Sequence, residues 1–359
     1  MKLAPVPHDS ERSAVMKERG RVGWLDAAKG IGILLVVVGH ALGGLIDSPL
    51  GEGLSVFRAA FFAIYSFHMP LFFMLSGVLV ADRLTRDHGG FARGLIFNIV
   101  WPYFLWSAIQ FTIIYQLGAL VNQPVERYWP TLLSLPWHSV SQFWFLQTLF
   151  ILHGLSLLAW RHLGGVGFLL LGIALKPLVQ VVPLPEMLRF AANQAPYYAI
   201  GVFLGVQGVA AVIADRPGWM RALLPLAAGA LIAATLVAAP GFDPAIALDT
   251  ARAAGIANLA WHYEAMPAAL AGSFAVIGIA SLCRGRFAEG LRFLGQRTMP
   301  IFILHILAIA GTRIFSIRFA DVGDPWLILP ITIAIGIVGP LAAYAVLRRI
   351  GLARPLGLG

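Results

Sequence analysis

Apolar stretches of about 17–25 residues recur from residue 30 to residue 347. Each is long enough to cross a hydrocarbon core about 30 Å thick as a helix. Backbone polar groups in lipid must pair within their own segment, so a chain patterned this way folds as a bundle of spanning helices. The runs fall at 30–46, 59–81, 94–120, 143–160, 163–182, 196–213, 222–239, 263–283, 298–316 and 326–347. The fifth is interrupted by Lys176 and Pro177. The fold expected is all-α: a polytopic transmembrane bundle of about ten helices. Composition agrees, because 59% of the residues are hydrophobic and only 12% charged. No soluble shape of this length could hide that much apolar surface.

The positions of the charges test the count. Of the 26 Lys and Arg residues, 19 fall on one side of a ten-span arrangement and five on the other, with Lys176 and Arg313 inside spans. Cytoplasmic loops carry the excess of positive charge. Both termini are therefore expected in the cytoplasm, and the net charge of +9 reads as membrane topology rather than a nucleic-acid footprint. The organisation expected is a polar tail at 1–23, a transmembrane domain at 24–347 and a short cytoplasmic tail at 348–359. The tail to residue 23 is too long and polar for a cleaved leader, so the first apolar run reads as a retained helix. Loops on the far side are short, and any chemistry is expected within the bundle.

Ionisable residues within spans are costly in hydrocarbon and are the functional candidates. Lys29 and His40 lie eleven residues apart, close to three helical turns, which puts both on nearly one face about 16 Å apart. The pair reads equally well as a snorkelling lysine with a histidine bonded to a neighbouring helix. In the second span, Pro70 bends the helix and Ser76-Gly77 permits close helix approach. Arg83 and Arg86 follow at the inner surface. They suit a phosphate group, although positive-inside charge accounts for them as well. His305 and Arg313 share a face of the ninth span. His153 and Gln147 are expected to satisfy one another or a neighbouring helix. Trp261-His262-Tyr263-Glu264 suits either a sugar or an interfacial aromatic belt. The single cysteine, Cys283, excludes an intrachain disulfide, and no metal-ligand motif is present.

Four tracts in order resemble the acyltransferase family 3 membrane proteins, particularly the fucose-4-O-acetylase-like branch. They are Leu25-Asp26 through Lys29-Gly30 to His40; Phe67-His68-Met69-Pro70-Leu71-Phe72-Phe73 with Ser76-Gly77 and the Arg83/Arg86 pair; Phe143-Trp144-Phe145-Leu146; and Leu294-Gly295-Gln296 through Met299-Pro300 to His305. The resemblance implies O-acyl transfer in the cytoplasmic membrane. An acyl group, usually acetyl, passes from cytoplasmic acyl-CoA to a hydroxyl of an extracytoplasmic carbohydrate. Acetyl-CoA is then a substrate, with no permanently bound cofactor. Lys29 stands where many relatives carry arginine and offers a point charge in place of a bidentate fork. On this reading His40 is the general base, and Lys29, Arg83 and Arg86 meet the CoA phosphates. Asp26 pairs with Lys29 or an arginine, His68 is structural, and Asp26, Ser76, His305 and Arg313 are candidates for contact with substrate. The competing reading is a transporter or flippase for a glycolipid or small solute, whose buried ionisable residues look alike. The absence of related halves counts against it. A scaffold without chemistry leaves the Lys29–His40 alignment unexplained.

Overall fold

The structure is a computed structural model that describes residues 9–86, 88–122, 124–238 and 265–359. Trp261-His262-Tyr263-Glu264 lie outside the described residues, as does the side chain of Arg86. The described residues form helices and no strands. The helices are α1 (Asp9–Ile46), α2 (Ser55–Tyr65), α3 (His68–Arg86), α4 (His88–Leu95), α5 (Trp101–Leu117), α6 (Tyr128–Ser134), α7 (Trp144–Val181), α8 (Glu186–Val209), α9 (Gly218–Ala238), α10 (Met266–Leu282), α11 (Gly285–Gly295), α12 (Thr298–Arg318) and α13 (Pro325–Arg349).

Among the described residues, eight helical segments are long and apolar enough to cross a membrane. Ten apolar rods emerge for two reasons. Met266–Leu282 is a shorter apolar helix, and the 39-residue segment Ser141–Val179 is a hairpin. As one rod that segment would span nearly 60 Å, about twice the hydrocarbon thickness. It reverses at Gly164, whose φ of 63° suits a residue without a Cβ. Trp160 and Phe168, on either side of the reversal, approach to 6.2 Å between ring centroids. His153 and Phe168 both pack on Tyr198 of α8. At the other end of α8, Trp144 stacks on Phe190 while Lys176 bonds Asn193. The two arms of α7 therefore flank α8, one parallel and one antiparallel. Lys176 and Pro177 do not end the second arm. The ammonium donates to the backbone and side-chain oxygens of Asn193 and lies over the Tyr197 ring, so its charge is met inside the bundle.

The second span differs from the sequence expectation. It is two helices, α2 and α3, separated at Ser66-Phe67. Pro70 does not bend a continuous rod. It occupies the first turn of α3, where its missing N–H leaves no helical bond unmade. Residues 350–359 fold back rather than hang free: the indoles of Trp101 and Trp106 donate to the Pro355 and Leu356 carbonyls, and Leu358 is buried.

Close backbone approach fixes the helices that carry the site. Gly77 of α3 faces the backbone of Tyr198 and Val202, while Gly201 of α8 faces that of Met74 and Val78. A Cβ at either position would meet main chain, which cannot swing aside. Such a two-glycine crossing lets dispersion act over a long contact. Basic residues mark helix ends, with Arg83, Arg221, Arg292 and Arg348 near the ends of α3, α9, α11 and α13, while Lys29 lies within α1 near the start of its apolar span Gly23–Ile46.

Candidate active site

The site begins at the basic face. Lys29 Nζ pairs with Asp26 Oδ1 at 2.8 Å, and Gln296 donates to Asp26 Oδ2 at 3.2 Å. The i,i+3 spacing puts the two charges over one turn, as the sequence reading expected for Asp26. Both side chains keep about a fifth of their surface accessible. The pair holds the lysine head in place without consuming all of its donors.

A cavity of about 220 Å³ opens beside Lys29. Ile33 and Val36 of α1 continue the lysine's face into it. The opposite walls come from Phe72 and Ser76 of α3, Phe145 of α7 and Phe302 of α12. The lining is apolar apart from its Lys29 end, Ser76, Asn98 and Thr298. A second cavity of about 140 Å³ shares Ser76, Leu79, Asn98 and Ile99 with the first, and it reaches Arg83 and His153. Ser76 thus stands at the junction of two chambers. Lys29 lies in the wall of one and Arg83 in that of the other.

The Lys29–Ile33–Val36 stripe continues one turn further to His40. His40 is half-buried and sits in a cluster of rings. Its Nδ1 lies 3.3 Å from the Tyr65 hydroxyl, and its ring centroid is 5.1 Å from that of His305. Tyr65 packs edge-on to His68 at 4.5 Å. The break between α2 and α3 creates this cluster by bringing Tyr65 and His68 together at the junction of two helices. His68 Nδ1 donates to the Ile64 carbonyl at 2.9 Å. His305 Nδ1 donates to the Phe302 and Ile301 carbonyls at 2.7 and 3.1 Å. A carbonyl only accepts, so Nδ1 of each ring carries the proton and Nε2 keeps the lone pair. His305 is fully buried, and among the described residues its Nε2 has no hydrogen-bond partner. A buried acceptor left open in this way calls for an explanation. Among the described residues no group of three His, Cys, Asp or Glu is arranged to hold a metal ion.

Polar pairing sets the α12 position. Gln110 of α5 and Gln142 exchange two hydrogen bonds of 2.9 Å, and Gln142 also donates to the Ile303 carbonyl at 3.3 Å. These amides tie α12, and with it Phe302 and His305, to α5 and the start of α7. Phe302 packs on Phe145 at 5.3 Å, closing the cavity wall.

The structure puts Lys29, Ser76 and Arg83 in the walls of the two joined chambers and pairs Asp26 with Lys29, while His40 and His305 meet one another a turn beyond Val36 and line neither chamber. Arg313 stands apart from them. Its guanidinium is buried and donates to the Gly44 carbonyl at 2.8 Å, in the last turn of α1. A cation there suits the negative end of a helix. His153 meets a neighbouring helix, through Tyr198, and Gln147 donates to the Pro136 carbonyl. Tyr65 is the site residue that sequence reasoning missed. Its only signal was its place three residues before the His68-Met69-Pro70 tract.

The family model described as an acyltransferase domain (acyltransferase family 3) matches residues 22–345. The chain belongs to that family of acyltransferases. It is also similar to nodulation protein NolL of Mesorhizobium japonicum, with 34% identity over 131 residues. That alignment covers 35% of this chain and 32% of the relative, so the match spans about a third of the relative's length. No solved structure gave a significant match. The matched family region contains both chambers and the histidine cluster.

Proposed function

We propose that the protein is a membrane O-acyltransferase of the cytoplasmic membrane. It takes an acyl group, acetyl in the first instance, from cytoplasmic acyl-CoA and delivers it to a hydroxyl of an extracytoplasmic carbohydrate. The observation that carries the reading is the Lys29 stripe. One helix face runs from a cation at the basic end, along an apolar chamber, to a histidine about 16 Å away. A thioester on a long neutral arm with phosphates at its far end has that same polarity. Lys29, Arg83 and Arg86 serve the phosphates, and Asp26 positions Lys29. Ser76 lines the passage of the arm.

At the upper end His40 is the general base. With Nδ1–H donated to Tyr65 Oη, its Nε2 is the basic nitrogen. It takes the proton of the acceptor hydroxyl as that oxygen bonds to the thioester carbonyl carbon. The tetrahedral intermediate collapses, the carbon–sulfur bond breaks, and the proton returns from His40 to the leaving thiolate. Direct transfer of this kind needs positioning and a base, because the thioester is already activated. The Nε2 of His305, in the ring 5.1 Å from that of His40, accepts a hydrogen bond from a hydroxyl of the carbohydrate.

The test uses purified protein in nanodiscs with radiolabelled acetyl-CoA and an envelope glycan extract, following label and free thiol together. Label in the glycan, lost in His40→Ala that remains folded, is the expected result. Folded protein that binds no CoA and releases no thiol contradicts the proposal and favours the transporter.

A further inference from the structure

The second chamber contains a histidine whose lone pair is fixed by its neighbours. His153 is buried in the first arm of α7, and its Nδ1 lies 2.8 Å from the Tyr198 hydroxyl. That hydroxyl is 3.1 Å from Ser156 Oγ, and Ser156 Oγ is 2.8 Å from the His153 carbonyl. Only one arrangement makes all three contacts hydrogen bonds. The carbonyl must accept, so Ser156 donates to it. Ser156 then accepts from Tyr198, and Tyr198 accepts from His153 Nδ1–H. In the neutral ring the lone pair is left on Nε2, for which the described residues supply no partner. His153 lines the chamber together with Arg83, Asn98 and Ser76.

This chamber therefore offers a fixed acceptor and an amide beyond a cation. Ser76 stands seven residues before Arg83, about 10 Å along α3. From the proposed donor reading, on which this inference rests, we infer that His153 Nε2 accepts a hydrogen bond from an amide N–H of the pantetheine arm. Asn98, shared by both chambers, pairs with the arm's other amide groups. The chamber is thus a subsite that reads the secondary amides of a phosphopantetheine thioester. An acyl phosphate or an acyl lipid has no such N–H to give. Tyr198 and Ser156 are positioning residues that act through the His153 ring.

The experiment compares acetyl-CoA with two analogues in which one or the other amide N–H of the pantetheine arm is replaced by an ester oxygen. Thiol release by wild type, His153→Leu and His153→Gln is measured with each donor in nanodiscs. Wild type is expected to lose about tenfold in kcat/KM with one of the two analogues, because a buried acceptor is left unpaired. In His153→Leu that discrimination falls to twofold or less, through loss on acetyl-CoA. His153→Gln, which keeps an acceptor oxygen, retains part of it. A structural role would lower all donors alike and leave the ratio unmoved. Wild type that turns over all three donors equally overturns the inference and leaves the acyltransferase reading standing. So does a His153→Leu variant that keeps the wild-type ratio. Wild type inactive with acetyl-CoA contradicts the acyltransferase reading itself. The wild-type comparison needs no folded variant.

Discussion

Tyr65→Phe separates a residue that aims the base from one that does chemistry. The substitution removes a single hydroxyl and keeps the ring, so the packing on Phe61 and His68 survives. The loss includes the contact of 3.3 Å with His40 Nδ1. That is longer than an ideal hydrogen bond and lies at the weak end of a net worth of about 0.5–1.5 kcal/mol. At about 1.36 kcal/mol per decade, a loss of 0.5–1 kcal/mol corresponds to roughly two- to fivefold in kcat. His40→Ala removes the base itself, which is worth about 10²–10⁴-fold. Steady-state thiol release at saturating acetyl-CoA, with glycan extract present, reads both. The two variants should differ by at least about a decade. A Tyr65→Phe defect as deep as that of His40→Ala would refute the reasoning and make the tyrosine the reacting group.

Other consequences of the geometry are equally measurable. Lys29→Gln should raise KM for acetyl-CoA roughly tenfold with kcat changed less, and added salt should narrow its gap from wild type, since a partly exposed charge is screened. Gly201→Val puts side-chain carbon against the Met74 and Val78 backbone and should cost about 1–3 kcal/mol or more, seen as a lower midpoint in detergent thermal unfolding. His305→Leu removes the open Nε2 and should raise the acceptor's KM at least fivefold while leaving the KM for acetyl-CoA within twofold.

Local periodicity shows what lies along one helix. It placed the apolar rods and set Lys29 and His40 on one face, and the structure keeps both on the stripe that includes Ile33 and Val36. It read residues 59–81 as one rod bent at Pro70, whereas the chain parts at Ser66-Phe67 and the proline lies in the first turn of the next helix. Contacts between elements distant in sequence left no such trace. His40, Tyr65 and His305 meet because α2 ends where it does and because Gln142 anchors α12. The junction at Ser76 depends on α4 and the turn that carries Asn98. The hairpin at Gly164 was legible as two runs but not as two arms around α8, which needed Tyr198 to show it. Arg313 illustrates the opposite case: its spacing from His305 is right, yet its guanidinium goes to the end of α1.

The central claim is that a thioester entering from the basic face is delivered to a hydroxyl at the histidine cluster within the bilayer. Proteoliposomes sorted for orientation, with the Lys29 face outward, test it directly. Labelled acetyl-CoA is added outside and a glycan acceptor is enclosed in the lumen. The account predicts labelled glycan inside and free CoA outside, with both absent in His40→Ala. Label confined to acceptor added outside, or thiol released only when acetyl-CoA is on the lumenal side, would contradict it.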